Sequence, residues 1–508
     1  MNGADLLLGS VALARHGSRI ALVCGEEEIR FAELAERVQR AAGALAGLDV
    51  RPGDRVLLLM RDTPEFAAAW LGAVHAGAVA VALNNKLAEA EYRHILTDSG
   101  ARLAIVEDVF ARARPDLTAE LAREGRVAIA GEAAGLPEWR ELVRAAPQPR
   151  AFAAEPETPA FLLYSSGTTG RPKGIVHVHR SFRALGLAFR AIGLGAGDRV
   201  FTTSKSFFAY GLEHGLLAPL AHGITSILYP DWPDAEVVLD LVKRHEPKAL
   251  FSVPTMYRRL LAEPRARLAA LRRVRHFVAG GERMSHQLIE QWREAVGGEI
   301  LSLYGMSETF CACMLTPPGT SNGPRTGQPL EGVEVQLRDE SGRAPAPQEP
   351  GVLWVRHPAQ ASGYANLPEQ THAQFHDGWF CSHDIFVRDA EGHFVHHGRA
   401  DELVKVAGQF VQPGELEEVA ALESAVGEAA CVPVPDVDGL ERLALFVTAK
   451  GDSAAAQRAA MDACERLLPR HKRPKWVRSV DELPRTATGK VQRFKLREIL
   501  ERELSGKD

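Results

Sequence analysis

Short, wholly apolar runs alternate with helix-period runs through the first half of this 508-residue chain, and no other feature restricts its fold as strongly. Phe31 to Leu48 places Leu34, Val38, Ala41, Ala42 and Leu45 on one helical face. The turn Arg51-Pro52-Gly53-Asp54 leads into a buried-strand pattern at Arg55 to Met60, then a helix over Thr63 to Ala76. Val79 to Leu83 and Ala101 to Val106 read as further strands, and Ala249 to Val253 is a strand with a helix over 255–262 after it. This alternation predicts α/β layers built on parallel strands.

After about residue 320 the texture changes. Val333 to Arg338, Gly351 to Arg356 and His393 to His397 read as β segments between turns such as Glu340-Ser341-Gly342, which predicts an antiparallel or barrel-like subdomain. Past the polar turn Gly398-Arg399-Ala400-Asp401 come a helix over Gly414 to Leu422, strands near Ala429 to Val434 and Leu443 to Lys450, a helix over Ala454 to Leu468, and a basic tail. The expected domains are therefore 1–400 and a small α/β domain over 401–508.

Composition narrows the function classes. A net charge of -5 gives no general attraction to nucleic acid or anionic membrane. The most apolar run, Ala67 to Leu83, holds His75 and is short for a membrane span, so it reads as a buried helix entering a buried strand. Six dispersed cysteines fit a reducing cytosol, and no basic segment precedes Leu6 to Ala14, so a cytoplasmic location is expected. The histidines at 372, 376, 383, 393, 396 and 397 form no zinc pattern, and no residue pattern specifies an assembly beyond compatibility with a homodimer.

Leu162-Leu163-Tyr164 is a short apolar strand, and Ser165-Ser166-Gly167-Thr168-Thr169-Gly170-Arg171-Pro172-Lys173-Gly174 follows it. Glycines let backbone N–H groups approach phosphate oxygens, hydroxyls add donors, and lysine adds positive charge. Pro172 before Lys173 and Gly174 after it break the Walker pattern. Gly305-Met306-Ser307-Glu308-Thr309 lacks the last glycine of a nucleophile elbow.

This loop resembles the signature of the adenylate-forming superfamily of acyl- and aryl-CoA ligases, luciferase and peptide-synthetase adenylation domains. Further motifs match in order along nearly the whole chain: Tyr304-Gly305-Met306-Ser307-Glu308; Gly398-Arg399-Ala400-Asp401 with Lys405 and Gly408; Gln412-Pro413-Gly414-Glu415; and Pro484-Arg485-Thr486-Ala487-Thr488-Gly489-Lys490. The resemblance implies a large N-terminal domain, a mobile C-terminal lid, and ATP, Mg²⁺ and coenzyme A as cofactor and co-substrates. It implies that Ser165, Ser166, Gly167, Thr168, Thr169, Gly170 and Lys173 cradle phosphates, and that Ser307 donates to phosphate while Glu308 holds Mg²⁺. Gly281, Glu282 and Arg283 would lie along the adenine, with Tyr304 nearby. Asp384, helped by Arg399, would accept from the ribose hydroxyls. Here the chain reads Ser382-His383-Asp384 where the family usually has Thr-Gly-Asp. Lys490 would meet the carboxylate and α-phosphate. Asp401 would be the hinge, and Gly408, Lys472 and Arg473 would serve CoA.

Phe207-Phe208-Ala209-Tyr210-Gly211 precedes an apolar segment read as a helix over Leu212 to Leu220. With Val176-His177-Val178-His179 and Thr486 to Arg497, it resembles the benzoate-CoA ligase branch. That implies a carboxylate site lined by Ala209, Tyr210, Gly280, Tyr304 and Cys311. Tyr304 stands where that branch tends to carry an aliphatic residue, and Cys311 where it tends to carry His. A substituted benzoate, an alicyclic acid and a short or medium aliphatic acid all stay open. So do a carrier-protein thiol acceptor in trans and an adenylate-binding sensor without activity, although retention of Lys490, Glu308 and Asp384 speaks against the sensor.

Overall fold

The computed structural model describes residues 1–133, 135–166, 171–321, 325–339, 341–400, 404–406, 409–436, 439–485 and 491–505. The chain forms two compact units. One comprises Met1–Gln336, Trp354–Ser382 and Asp389–Val395, and the other comprises Leu337–Leu353, His383–Arg388 and His396–Asp508. The expected boundary residue, Asp401, lies outside the described residues.

The larger unit holds two sheets with long parallel stretches. In one, strands Ile300–Gly305, His276–Ala279, Ala249–Ser252, Arg199–Thr202, Thr225–Leu228 and Ile20–Cys24 lie side by side in that order, all parallel. Antiparallel strands Ala312–Leu315 and Arg325–Pro329 extend it beyond Ile300–Gly305. In the other, Pro159–Ser166, Val79–Ala82, Arg55–Leu59, Leu103–Glu107 and Val127–Ala130 are parallel neighbours. Strand Pro172–Val178 folds back antiparallel on Pro159–Ser166, and Gly363–Tyr364 pairs with it.

Local chemistry explains several elements. The helix Phe31–Gly47 buries Leu34, Val38, Ala41, Ala42 and Leu45, the face its periodicity selects. Helix Pro64–His75 starts at Thr63, whose hydroxyl accepts from the Phe66 N–H at 3.2 Å, with Pro64 in the first turn. From Phe66 to His75 this helix is buried, as is strand Val79–Ala82, in keeping with the run Ala67 to Leu83. Gly72 permits the two helices to touch, because a Cβ there would lie 2.6 Å from that of Ala41. Among the described residues no helix is long and apolar enough to cross a membrane.

The smaller unit carries a three-stranded sheet, Val426–Pro435 antiparallel to Glu441–Ala449 and Glu441–Ala449 parallel to Trp476–Ser479. Helices Pro413–Ala420 and Ser453–Leu467 pack on one core and helix Arg493–Ser505 on another.

A buried ion pair joins the ends of two strands in different sheets of the larger unit. Lys205 Nζ lies 3.0 Å from Asp62 Oδ2, and the side chains are 3% and 9% exposed. The ammonium also donates to the carbonyls of Tyr229 at 2.6 Å and Asp231 at 3.0 Å, and the Ser206 N–H donates to Asp62. Burial pushes the Asp62 carboxyl upward, and this outweighs the pull of Lys205. The pair therefore fixes geometry more than it adds net electrostatic stability. Asp62→Ala strands a buried ammonium and should destabilise the protein by about 3–5 kcal/mol. Asp62→Leu combined with Lys205→Met should recover most of that loss. Urea unfolding checks this, and a single variant indistinguishable from wild type would refute it.

Two buried histidines also carry a stability consequence. Desolvation lowers His177 to about 3 and His357 to about 4. Both rings are neutral in the native state, whereas an unfolded histidine titrates near 6.5. Above pH 6.5 their contribution is complete, and it is lost as pH falls toward the folded values. The loss is on the order of 3–5 kcal/mol per ring at the acid limit. Urea midpoints measured from pH 7 to pH 4 should fall steeply for wild type and less steeply for His177→Gln. Equal slopes would contradict the assignment.

Candidate active site

Four neighbouring parallel strands of the first sheet deliver candidate residues from their C-terminal ends. Arg199–Thr202 leads to Ala209 and Tyr210, Ala249–Ser252 to Pro254, His276–Ala279 to Gly280 and Gly281, and Ile300–Gly305 carries Tyr304 and runs into Ser307 and Glu308. Open parallel sheets bind ligands outside these ends, because the loops there are free to vary while the strands hold them in place.

Glu308 is held by residues from distant parts of the sequence. The Tyr364 hydroxyl donates to its Oε1 at 2.9 Å. Lys173 Nζ lies 3.5 Å from the same oxygen and 4.0 Å from the centre of the Tyr364 ring. Lys173 and Glu308 are 16% and 13% exposed, so the charges are screened weakly yet remain reachable. Lys173 faces Ser165 in the register of the hairpin Pro159–Ser166 and Pro172–Val178, so the pair sits at the end where the connecting segment joins the two strands. Gly167, Thr168, Thr169 and Gly170, between these strands, lie outside the described residues.

The turn bearing Ser307 and Glu308 is fixed from below. The His177 Nε2–H donates to the Ser307 carbonyl at 2.8 Å, and the Ala361 N–H donates to the Glu308 carbonyl at 2.8 Å. The buried Thr309 hydroxyl reaches the carbonyls of Met306 and Cys311. Phe310 has a φ of 59°, a left-handed conformation that non-glycine residues seldom adopt. Its ring packs on Phe161 at 4.9 Å and His177 at 5.4 Å, which holds that conformation. His177 and Tyr364 support the Ser307–Glu308 segment and are not assigned by motif reading; His177 stands just past the phosphate-loop motif, whereas Tyr364 has no sequence signal.

Glu308 fits a magnesium ion shared with a nucleotide. Mg²⁺ keeps most of its water and takes one or two carboxylates plus phosphate oxygens. A single anchored carboxylate beside a lysine meets that description, and no group of three or more metal-ligating side chains occurs among the described residues.

The acyl-site candidates form a wall. The Tyr210 ring covers Gly280, where a Cβ would fall 2.9 Å from Tyr210 Cε2. Its hydroxyl donates to the Val278 carbonyl at 3.2 Å. Tyr304 opposes Met314 in the pairing of Ile300–Gly305 with Ala312–Leu315, next to buried Cys311. The apolar helix expected over Leu212 to Leu220 forms, with a π-helical turn inside it. Helices Ala209–Leu212 and Ala218–His222 flank a π-helical turn, Glu213–Leu217, which carries the fully buried Glu213 and His214.

In the smaller unit Asp384 Oδ1 lies 3.5 Å from His396 Nε2 and 3.9 Å from Arg399 Nη1. His383 has a φ of 59°, so it occupies in left-handed form the place of the family's glycine, at a cost of about 1 kcal/mol. Lys472 donates to Glu415 at 2.5 Å, and Arg473 Nε donates to the Leu468 carbonyl at 3.0 Å. In the larger unit, Gly281 has a φ of 86° and is exposed together with Glu282, while Arg283 is half-buried. Asp401, Gly408 and Lys490 lie outside the described residues.

Comparison with known proteins is consistent across sequence and structure. Residues 10–365 match the AMP-binding enzyme family, and residues 415–490 match the AMP-binding enzyme C-terminal domain. A 3-hydroxybenzoate–CoA/4-hydroxybenzoate–CoA ligase of Thauera aromatica is 40% identical over 99% of this chain and 98% of its own length. The crystal structure of anthranilate CoA ligase AuaEII with anthranoyl-AMP superposes with a TM-score of 0.90 at 32% identity, covering 98% of this chain and 97% of that one. A benzoate CoA ligase from Burkholderia xenovorans LB400 gives 0.88 at 34% identity, covering 98% of this chain and all of the other. The chain belongs to the AMP-binding, adenylate-forming enzyme family, in its aryl-CoA ligase branch.

Proposed function

We propose that this protein activates a hydroxylated benzoate as its acyl-adenylate and transfers the acyl group to coenzyme A. AMP-forming acid–CoA ligation of an aromatic acid is the activity of its branch, with ATP, Mg²⁺ and CoA as the required small molecules. The observation that carries the finer reading is the Tyr210 ring lying against Gly280, with Tyr304 on the neighbouring strand Ile300–Gly305, from whose carboxyl end Glu308 follows. A flat ring suits an aromatic wall whose floor is a glycine. The relatives named for hydroxybenzoates and benzoate support the substrate class.

The chemistry runs in two steps. A carboxylate oxygen attacks the α-phosphorus and pyrophosphate leaves. The CoA thiolate then attacks the acyl carbon and AMP leaves. The first step brings two anions together, so it needs cations and oriented donors aimed at the charge that develops. Bound Mg²⁺ would offset phosphate charge at Glu308. Lys173 and the loop from Ser165 to Gly170 would hold the phosphates, with Ser307 as a further donor. Lys490 is our choice for the cation at the carboxylate and α-phosphate. Gly281, Glu282 and Arg283 are assigned to the adenine, and Asp384 with Arg399 to the ribose. Asp401 is the proposed hinge between a 1–400 domain and a 401–508 lid. Gly408 is assigned to the thiol's path. Lys472 and Arg473 are weaker choices for CoA, since each already holds a protein acceptor. All six cysteines are free thiols, which supports a reducing cytoplasmic location.

The test is acid-dependent pyrophosphate release with Mg²⁺-ATP and CoA across hydroxybenzoates, benzoate, cyclohexanecarboxylate and C4–C8 fatty acids. Hydroxybenzoates should give a kcat/KM on the order of 10⁴ M⁻¹s⁻¹ or more, with fatty acids far below. Preference for aliphatic acids would overturn the substrate class. Activity only with a pantetheinyl carrier protein would overturn the choice of thiol.

A further inference from the structure

Glu213 opens the π-helical turn between the two short helices behind Tyr210. Such turns are uncommon, and they redirect side chains out of the α-helical pattern. The Glu213 side chain is 1% exposed, as is that of His214. Its Oε2 accepts from the Ala312 N–H at 3.2 Å and lies 3.5 Å from His214 Nε2. The Cys311 thiol and the Gly186 N–H also face this carboxyl. Even so, neither Oε1 nor His214 Nε2 has a partner in good hydrogen-bond geometry. The other imidazole nitrogen, Nδ1, donates to the Tyr210 carbonyl at 3.0 Å, which places a proton there. Buried polar atoms without well-aligned partners are costly, at up to about 1–3 kcal/mol each, unless something supplies their bonds.

Their position suggests what does. Ala312, on which the carboxyl rests, opposes Gly305 in the strand pairing. Cys311 and Tyr210, which touch this pair, belong to the wall assigned above to the acyl group. Burial raises the Glu213 carboxyl, which favours the protonated form and makes its hydroxyl a donor. In the Nδ1–H tautomer that the Tyr210 carbonyl selects, His214 Nε2 is an acceptor. A donor beside an acceptor matches a group that both accepts and donates one hydrogen bond, as a hydroxyl does and a fluorine or methyl does not.

We propose that Glu213, with His214 behind it, reads a hydroxyl on the ring of the bound aromatic acid, at the edge remote from the reacting carboxylate. This rests on the assignment of Tyr210 and Cys311 to the acyl wall. Glu213 is then the residue that sets preference among benzoates, and it takes no part in adenylation itself.

The test compares kcat/KM for pyrophosphate release with 3-hydroxybenzoate, 4-hydroxybenzoate, 3-fluorobenzoate, 4-fluorobenzoate and benzoate. Wild type should favour one hydroxybenzoate over benzoate and its fluoro analogue by about 10²-fold or more, since a site built to bond a hydroxyl rejects analogues without one. In Glu213→Leu this ratio should collapse to within about threefold, chiefly through loss of the hydroxy acid. Glu213→Gln, which keeps a donor and an acceptor, should hold the ratio within about tenfold of wild type. The inference is overturned if wild type handles hydroxy, fluoro and unsubstituted acids alike, a result that needs no variant to fold. It is also overturned if the ratio survives in Glu213→Leu. Failure of the underlying function looks different: no benzoate of any kind would stimulate wild-type pyrophosphate release.

Discussion

The contact among Glu308, Lys173 and Tyr364 is the point on which the site depends. It gathers a carboxylate from the end of one sheet, a lysine from a hairpin of the second sheet and a tyrosine from a short strand added to that hairpin. Two chains of contact keep these segments in register. His177 and Ala361 pin the backbone of Ser307 and Glu308, and the rings of Phe161 and Phe310 clamp His177. Farther off, the buried Asp62–Lys205 pair links ends of strands from both sheets. The proposed role of this cluster toward phosphates and Mg²⁺ needs its charges fixed before the ligand arrives, because donors that reorganise lose much of their electrostatic effect.

Much of this was legible in the sequence, and the reasons differ by element. The helix Phe31–Gly47 and the buried run through Pro64–His75 into Val79–Ala82 follow from local periodicity. The parallel sheets follow from the alternation of such runs. The phosphate loop and the Ser307–Glu308 segment are contiguous motifs, so their chemistry is visible without coordinates. Tyr364 lies 56 residues from Glu308 and far from any motif, and only folding brings it to the carboxylate. His177 is visible as a residue between valines, but its role needs the Ser307 carbonyl opposite it. The segment after Tyr210 is helical as its leucines suggest, but the π turn within it, which carries the buried Glu213 and His214, leaves no sign in the hydrophobic pattern.

The two departures from the benzoate pattern now have different weights. Tyr304 sits on a strand end with the rest of the wall, as its motif implies. Cys311 is a small, buried thiol facing Glu213, so the space a larger imidazole would occupy is shared with a carboxyl. His383 similarly takes a left-handed place that glycine would fill at no cost, beside Asp384. Tyr304 and Cys311 fall at the proposed acyl wall and His383 beside the proposed ribose carboxylate, while the Glu308–Lys173 contact is retained; variation of this kind is how one scaffold serves several acids.

Adenylate formation is the central claim, and it can be isolated from thioester formation. ATP–pyrophosphate exchange should be measured with Mg²⁺, a hydroxybenzoate and no CoA. The account predicts exchange that requires the acid and rises with its concentration to saturation, because carboxylate and α-phosphate combine reversibly before any thiol binds. Exchange that is absent with every benzoate, or that proceeds equally without acid, would contradict it.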